Sequence, residues 1–139
     1  MVKPRAAVLL AVATCLAAPA ALAEPPAAVA SQWKQIYEDS QTIYYVSAIN
    51  SSSSTTSDVE SLLEYKVPQV LGGTQVWSVV SHMKLDCDAK KVVTIDNTTY
   101  SRQMGSGRAI QTQATNDTLH EPDAGSLGEL IWSTACGKN

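Results

Sequence analysis

The side chains that could carry out chemistry in this sequence are few and widely spaced. His82 directly follows Ser81 and lies four residues before Asp86. A nucleophilic site needs a base positioned beside the nucleophile. In an extended strand, however, Ser81 would point to the face opposite His82, and Asp86 would lie about 13 Å away. We therefore expect His82 to be a solvent-exposed histidine without a catalytic role.

The other candidates are equally isolated. His120 stands before Glu121 in a polar segment, and no third partner accompanies them. Asp86 and Asp88 flank Cys87 and could suggest calcium, but calcium sites take more oxygen ligands from a shaped loop. The sequence contains no phosphate-binding glycine loop, zinc-peptidase motif or nucleophile elbow. It therefore predicts a protein that is not an enzyme, with no catalytic, cofactor-binding or metal-binding residues.

The first residues have the pattern of an export signal. Lys3 and Arg5 precede the uncharged apolar run 6–18, and Ala21-Leu22-Ala23 then places small residues at the −3 and −1 positions before the acidic Glu24. A basic start, a short apolar segment and small residues before the cut are typical of a secretory signal peptide. We expect cleavage between Ala23 and Glu24. The apolar run is shorter than the roughly 20 residues that span a bilayer, and no later run reaches that length, so we predict no transmembrane segment.

An alternative is a lipoprotein signal that ends at Cys15, in which case Cys15 would carry a lipid. Lipoprotein signals normally have Gly, Ala or Ser directly before the cysteine, whereas this chain has Thr14. We therefore expect ordinary cleavage and not a lipid anchor. The exported protein would reside in the periplasm, at the cell surface or outside the cell.

Cleavage after Ala23 would remove 23 of the 139 residues and leave 116, a usual size for one domain. We predict a signal peptide over residues 1–23, a flexible Pro/Ala-rich lead-in over 24–32 and a single domain over 33–139.

The charge of the exported chain is acidic. Loss of Lys3 and Arg5 reduces ten basic residues to eight, against thirteen acidic residues, for a net charge of −5. Nucleic-acid binding needs clustered Lys and Arg, so we expect no nucleic-acid partner. The basic doublet Lys90-Lys91 is predicted to be a solvated turn.

Two cysteines, Cys87 and Cys136, would remain after cleavage. In an oxidising compartment such a pair is most simply one disulfide. A bond between positions 49 apart would stabilise the fold by about 4 kcal/mol in the chain-entropy model. The alternative, a metal site, needs further Cys or His residues at ligand spacing, and neither histidine belongs to a paired motif.

Strand-forming Ile, Val, Tyr and Thr dominate most of the domain. We predict strands over residues 33–37, 42–49, 59–67, 77–87, 91–104 and 108–113. Residues 50–57 predict a Ser/Thr-rich loop, and Gly72-Gly73 predicts a turn. In the strand over 91–104 the apolar residues change from one set of alternate positions to the other, which predicts a bulge at residues 96–98.

Alternation within the strands predicts which side chains face the core. The strand over 59–67 is expected to be half-buried, with Val59 inside, Glu64 in solvent and an end at Pro68. In the next strand the residues expected to face the core are Trp77, Val79, Met83, Leu85 and Cys87. His82 has the opposite parity, together with Ser78, Lys84 and Asp86.

The C-terminus changes to helical spacing. Ser126 and Glu129 form a capping box, and Gly137 is expected to end the helix. Strands followed by one helix predict an α+β domain. We expect an antiparallel sheet of about five to six strands with the C-terminal α-helix packed on one face, where the disulfide would link it to the sheet.

Several of these positions also match a known family. The strongest are Asp86-Cys87 at a strand end, the helix start from Gly125 to Glu129 and the closing Cys136. Further matching positions are Trp33, Ile43-Tyr44-Tyr45-Val46, Tyr65, Ser81 to Lys84, Tyr100-Ser101, Met104, Gly107 and Pro122. From about Trp33 to Cys136 the chain resembles the surface-adhesin protein E family, which comprises small exported proteins of Gram-negative bacteria.

The resemblance implies an antiparallel sheet with a disulfide-tied C-terminal helix, and adhesion to host extracellular-matrix proteins such as vitronectin and laminin. We therefore predict a non-catalytic, adhesin-like envelope or surface protein that binds a protein partner. Tyr44 and Val46 are candidates for an open sheet surface. The alternative is a soluble periplasmic protein that supports the envelope, and a small enzyme is the third.

Overall fold

The structure is a computed structural model that describes residues 32–47 and 56–138. The predicted cleavage point between Ala23 and Glu24, and most of the loop predicted for residues 50–57, lie outside the described residues.

In the part of the chain that the structure describes, six strands form one antiparallel sheet in which every strand pairs with its neighbour in sequence. The elements are β1 (Trp33–Glu38), β2 (Thr42–Ser47), β3 (Thr56–Leu71), β4 (Thr74–Asp86), β5 (Lys91–Tyr100), β6 (Ala109–Ala114) and the helix α1 (Leu127–Ala135). The chain thus folds as a meander of hairpins and then returns as a helix across one face. The predicted α+β class is confirmed.

One face of the sheet, which we call the helix face, packs against α1. Its buried side chains are Val46, Val59, Met83, Leu85 and Val92. Ile131 of α1 is buried against them, and Leu127, Trp132 and Ala135 are partly buried there. The prediction that Met83 and Leu85 face the core is therefore confirmed. Val46 belongs to this core and is not part of an open surface.

The opposite face, which we call the reverse face, is covered in part by the β5–β6 connection. The amide of Met104 donates to the Glu64 carboxylate (3.0 Å), and the amide of Gly105 donates to Ser78 Oγ (3.0 Å). A Cβ at Gly105 would lie 2.7 Å from a methyl of Val80, and the backbone there has a φ of +63°. Glycine is therefore required for this close crossing.

The burial of residues under this connection contradicts two predictions of solvent exposure that were based on alternation. Glu64 and Ser78 were expected in solvent, but Glu64 is only 6% exposed and Ser78 is fully buried. The predicted inward residues Trp77 and Val79 are half-buried. Alternation indicates which face a side chain takes, but it cannot show that a later connection covers the other face as well.

The strand β3 is also longer than predicted, because it continues through Pro68 to Leu71. The pairing of β3 with β4 shifts between Glu64 and Gln69, so Pro68 falls where the ladder is interrupted. Proline lacks an N–H and is tolerated in a sheet at such irregularities.

The irregularity of β5 also differs in position from the prediction. His82 pairs with Asp96 and Met83 pairs with Thr94, which leaves Ile95 as the extra residue. The bulge thus lies one residue before the predicted range 96–98. The strand ends at Tyr100, before Met104.

The ends of α1 follow local signals. Ser126 Oγ accepts a hydrogen bond from the amide of Glu129 (3.2 Å), as predicted for the N-cap. The Glu129 carboxylate reaches back to the amide of Gly125, one residue earlier than a capping box requires. At the other end the amide of Lys138 donates to the carbonyl of Ser133 (2.9 Å), and Gly137, the predicted stop, follows the C-cap Cys136 with a φ of +64°.

The disulfide joins Cys87, directly after β4, to Cys136, the C-cap of α1, with 5.6 Å between their Cα atoms. A helix of nine residues is marginal in water by itself. The covalent tie therefore holds an element that would otherwise depend on non-covalent contacts.

Replacement of both cysteines by serine should lower the free energy of unfolding by about 4 kcal/mol, because the unfolded chain regains the entropy of a 49-residue loop. Urea unfolding of the oxidised protein and the double variant measures the difference. Reduced wild-type protein is the matched control and should unfold like the variant. Equal midpoints for oxidised and reduced protein would contradict the assigned role.

Candidate interaction surface

An open groove of about 670 Å³ lies between α1 and the hairpin formed by β1 and β2. Its apolar walls comprise Tyr37, Tyr44, Leu127, Leu130 and Trp132. Charged side chains of both signs stand at its margins: Asp39, Lys90, Glu129 and Lys138. A concave apolar surface with a few polar groups at its edge is the usual form of a binding site.

A bulge in β1 brings the tyrosines to this groove. The register of β1 against β2 shifts between Gln35 and Tyr37, so Ile36 is the extra residue. Ile36 packs against the core, while Tyr37 pairs with Tyr44, and their ring centroids lie 6.0 Å apart. In a regular strand neighbouring residues face opposite sides. Because the bulge breaks this alternation, Ile36 can pack against the core while its neighbour Tyr37, which is 47% exposed, lines the groove.

The helix wall of the groove is fixed by polar contacts to the β4–β5 turn. Trp132 Nε1 donates to the carbonyl of Asp86 (2.9 Å), and Lys90 Nζ lies 2.8 Å from a Glu129 carboxylate oxygen. The same ammonium is 5.7 Å from the centre of the Trp132 ring, within the range of a cation–π contact. Lys90 was predicted to be a solvated turn residue, but here it joins the turn to the helix.

This ion pair shifts both partners toward their charged forms. The hydrogen bond from Lys90 holds the pKa of the Glu129 carboxyl below its ordinary value, and the Gly125 amide adds to that effect. The Glu129 carboxylate in turn raises the pKa of Lys90. The charges at this margin of the groove are therefore maintained at neutral pH.

A second polar cluster lies on the reverse face around His82. The sheet register places Glu60 of β3 and Asp96 of β5 on either side of it. His82 Nε2 lies 2.9 Å from a Glu60 oxygen, and His82 Nδ1 lies 2.9 Å from an Asp96 oxygen. His82 is exposed, as predicted, and Ser81 faces away from it and bonds Asn97. Both carboxylate partners were missed because they come from other strands.

The cluster favours a protonated imidazole. The hydrogen bond to Asp96, followed by the charge of Asp96 and the contact with Glu60, raises the pKa of His82 above its ordinary value. Each ring nitrogen faces a carboxylate, so the imidazolium can donate in both directions. This arrangement holds a proton between two strands and leaves neither ring nitrogen free to act as a base.

The remaining candidate residues stay apart. Asp86 accepts from the amides of Asp88 and Ala89 in the turn, so its carboxylate has a structural role. His120 pairs with Val92 through the backbone, and its Nδ1 lies 2.9 Å from the carbonyl of Thr118. Within residues 32–47 and 56–138, no three His, Cys, Asp or Glu side chains are grouped so that they could hold a metal ion. The same residues include no helix long and apolar enough to cross a membrane.

These features define a class of protein: an antiparallel meander with a disulfide-tied C-terminal helix and an aromatic groove between helix and sheet. The family model described as surface-adhesin protein E matches residues 33–137. The chain therefore belongs to the surface-adhesin protein E family. Searches of curated proteins and of solved structures find no significant match.

The His82 cluster should stabilise the fold in a pH-dependent way. A raised pKa in the folded state means that the contribution is fully present below about pH 6.5, the ordinary value, and is lost as the pH rises through the raised value. Urea midpoints of wild type and His82→Gln should therefore differ most in mildly acidic buffer and converge in alkaline buffer.

His120→Gln is the matched control, because His120 is also exposed and its ion pairs within the described residues comprise a single one, with Asp117 at 3.6 Å. Its midpoint should follow that of wild type more closely across the pH range. A constant gap between wild type and His82→Gln at every pH would refute the assignment.

Proposed function

We propose that this chain is an exported, adhesin-like surface protein that binds a protein partner and catalyses no reaction. The observation that carries the proposal is the family match, which spans nearly the whole described domain. Export is supported by the signal pattern that ends at Ala23 and by the disulfide, since such bonds persist in oxidising compartments.

The groove between α1 and the β1–β2 hairpin is the proposed contact surface. Tyr37, Tyr44 and Trp132 are of the residue types that contribute most of the binding energy at protein interfaces. Tyr37 is about half exposed, so it has area left to bury against a partner. By family resemblance, the partner would be a host extracellular-matrix protein.

A soluble periplasmic protein that supports the envelope is the alternative function. An acidic exported domain with an ordinary signal peptide fits that role as well. An enzyme is the third function, and it is disfavoured because the His82 imidazole is held by two carboxylates with Ser81 on the other face.

The location of the protein separates the first two functions. We expect an antibody against the domain to label intact cells, because an adhesin must be reachable from outside. A periplasmic marker protein probed on the same cells is the control for leakage. Labelling that requires permeabilised cells, with all of the protein in the periplasmic fraction, would favour the envelope-support function.

Intact mass of the purified native protein should show a chain that starts at Glu24 and lacks two hydrogens because of the disulfide. Reduction should add those two hydrogens. A mass that includes acyl chains, or the retained signal, would refute the proposed processing.

Binding to immobilised laminin or vitronectin should weaken at least about tenfold when Tyr37 and Tyr44 are both replaced by alanine, since buried aromatic anchors dominate interfaces. Leu119→Ala is the matched control, because Leu119 is an exposed apolar residue outside the groove. Circular dichroism should be unchanged in both variants. Equal affinity of the tyrosine variant and wild type would exclude the groove as the contact surface.

A further inference from the structure

The hairpin between β3 and β4 projects beyond the rest of the sheet. The pairing of β2 with β3 ends at Tyr65, and the pairing of β5 with β4 ends at Ser78. In the part of the chain that the structure describes, residues 67–77 form strand pairs only with one another. At about 3.3 Å per residue, the strand extends roughly 13 Å from Ser78 to Thr74.

The end of this hairpin is apolar and exposed. Val67, Val70 and Leu71 are 63%, 71% and 43% exposed. No Asp, Glu, Lys or Arg occurs from Val67 to Met83. Soluble proteins usually protect projecting strands with charges, and contiguous exposed apolar residues usually mark a contact. The hairpin tip therefore has the composition of a contact element.

The apolar side chains surround the tip instead of lining one side of it. Val70 and Leu71 are consecutive strand residues, so their side chains project to opposite faces. A protein pocket against one face would leave the other face in water, whereas lipid can surround both. The narrow turn suits insertion too: Gly72 and Gly73, with φ of +55° and +78°, close the hairpin without side chains.

Positive charge lies at the base of the hairpin. Ser78 Oγ donates to the carbonyl of Arg102 (2.6 Å), which fixes the backbone of Arg102 beside the root of the hairpin. Arg108 follows in the same turn, where its amide donates to Ser101 Oγ. Both arginines are exposed, and the ion pairs of the described residues involve neither of them.

Among the described residues, no carboxylate forms an ion pair with either arginine. Glu38 and Asp39 belong to the β1–β2 hairpin, which β3 and β4 separate from β5, and Glu38 is already paired with Lys66. Glu64 is buried under the β5–β6 connection. The two guanidinium groups are thus left to meet an external anion.

We propose that the tip formed by residues 67–75 inserts into the surface of an anionic phospholipid bilayer, with Arg102 and Arg108 at the level of the headgroups. Shallow insertion of apolar side chains combined with attraction of basic residues to anionic lipid is a known mode of peripheral membrane binding. This contact is separate from the groove and would hold the domain at a membrane in a defined orientation.

Co-sedimentation of the exported chain with lipid vesicles tests the proposal. Wild-type protein should bind vesicles of phosphatidylcholine mixed with phosphatidylglycerol, and should bind pure phosphatidylcholine vesicles far more weakly. The double variant Val70→Ser/Leu71→Ser should lose at least about tenfold in affinity, because two apolar side chains no longer enter the lipid. Ile95→Ser is its matched control, since Ile95 is 40% exposed elsewhere on the sheet, and it should bind like wild type.

The arginines are tested separately. Arg102→Gln and Arg108→Gln should each weaken binding to the mixed vesicles by roughly fivefold, and added salt should reduce the wild-type affinity. Lys91→Gln, another exposed cation, is the control and should have little effect. The proposal is overturned if wild type fails to bind the mixed vesicles or if the tip variant binds as tightly as wild type. It is also overturned if Ile95→Ser loses as much affinity as the tip variant, or if Lys91→Gln loses as much affinity as the arginine variants.

Discussion

The attachment of the C-terminal helix to the turn after β4 is the constraint on which the rest of this structure depends. Three different bonds link α1 and its C-cap to the segment 86–90. Cys136 is bonded to Cys87, Trp132 donates to the carbonyl of Asp86, and Glu129 pairs with Lys90. A nine-residue helix has too few internal hydrogen bonds to be stable by itself. The turn therefore positions the helix, and Ile131 then completes the core.

The two faces of the sheet are covered by different means, and this difference determines where surface is left for contacts. On the helix face, α1 covers the core residues but stops short of Tyr37 and Tyr44, which leaves the groove. On the reverse face, the β5–β6 connection covers Glu64 and Ser78 and ends at the base of the long hairpin. Exposed apolar side chains therefore remain at the groove and at the end of the long hairpin.

The two proposed contact surfaces differ in chemistry as well as in place. The groove offers aromatic rings and charges of both signs, which can match the mixed surface of a folded protein. The hairpin tip offers aliphatic side chains on both faces with arginines behind them, which matches a lipid surface better than a pocket. A domain held at a membrane by its hairpin could still present the groove to a partner.

The sequence by itself determined those features that depend on neighbouring residues. The strand alternation around Met83, the N-cap at Ser126 and the glycine stop at Gly137 were all predictable because each rests on contacts within a few residues. The family resemblance added the sheet-and-helix arrangement. The tertiary structure alone decided the partners of His82, the burial of Glu64 and the ion pair of Lys90. Each of those depends on strand register or on a distant connection, and neither is encoded in the spacing of adjacent side chains.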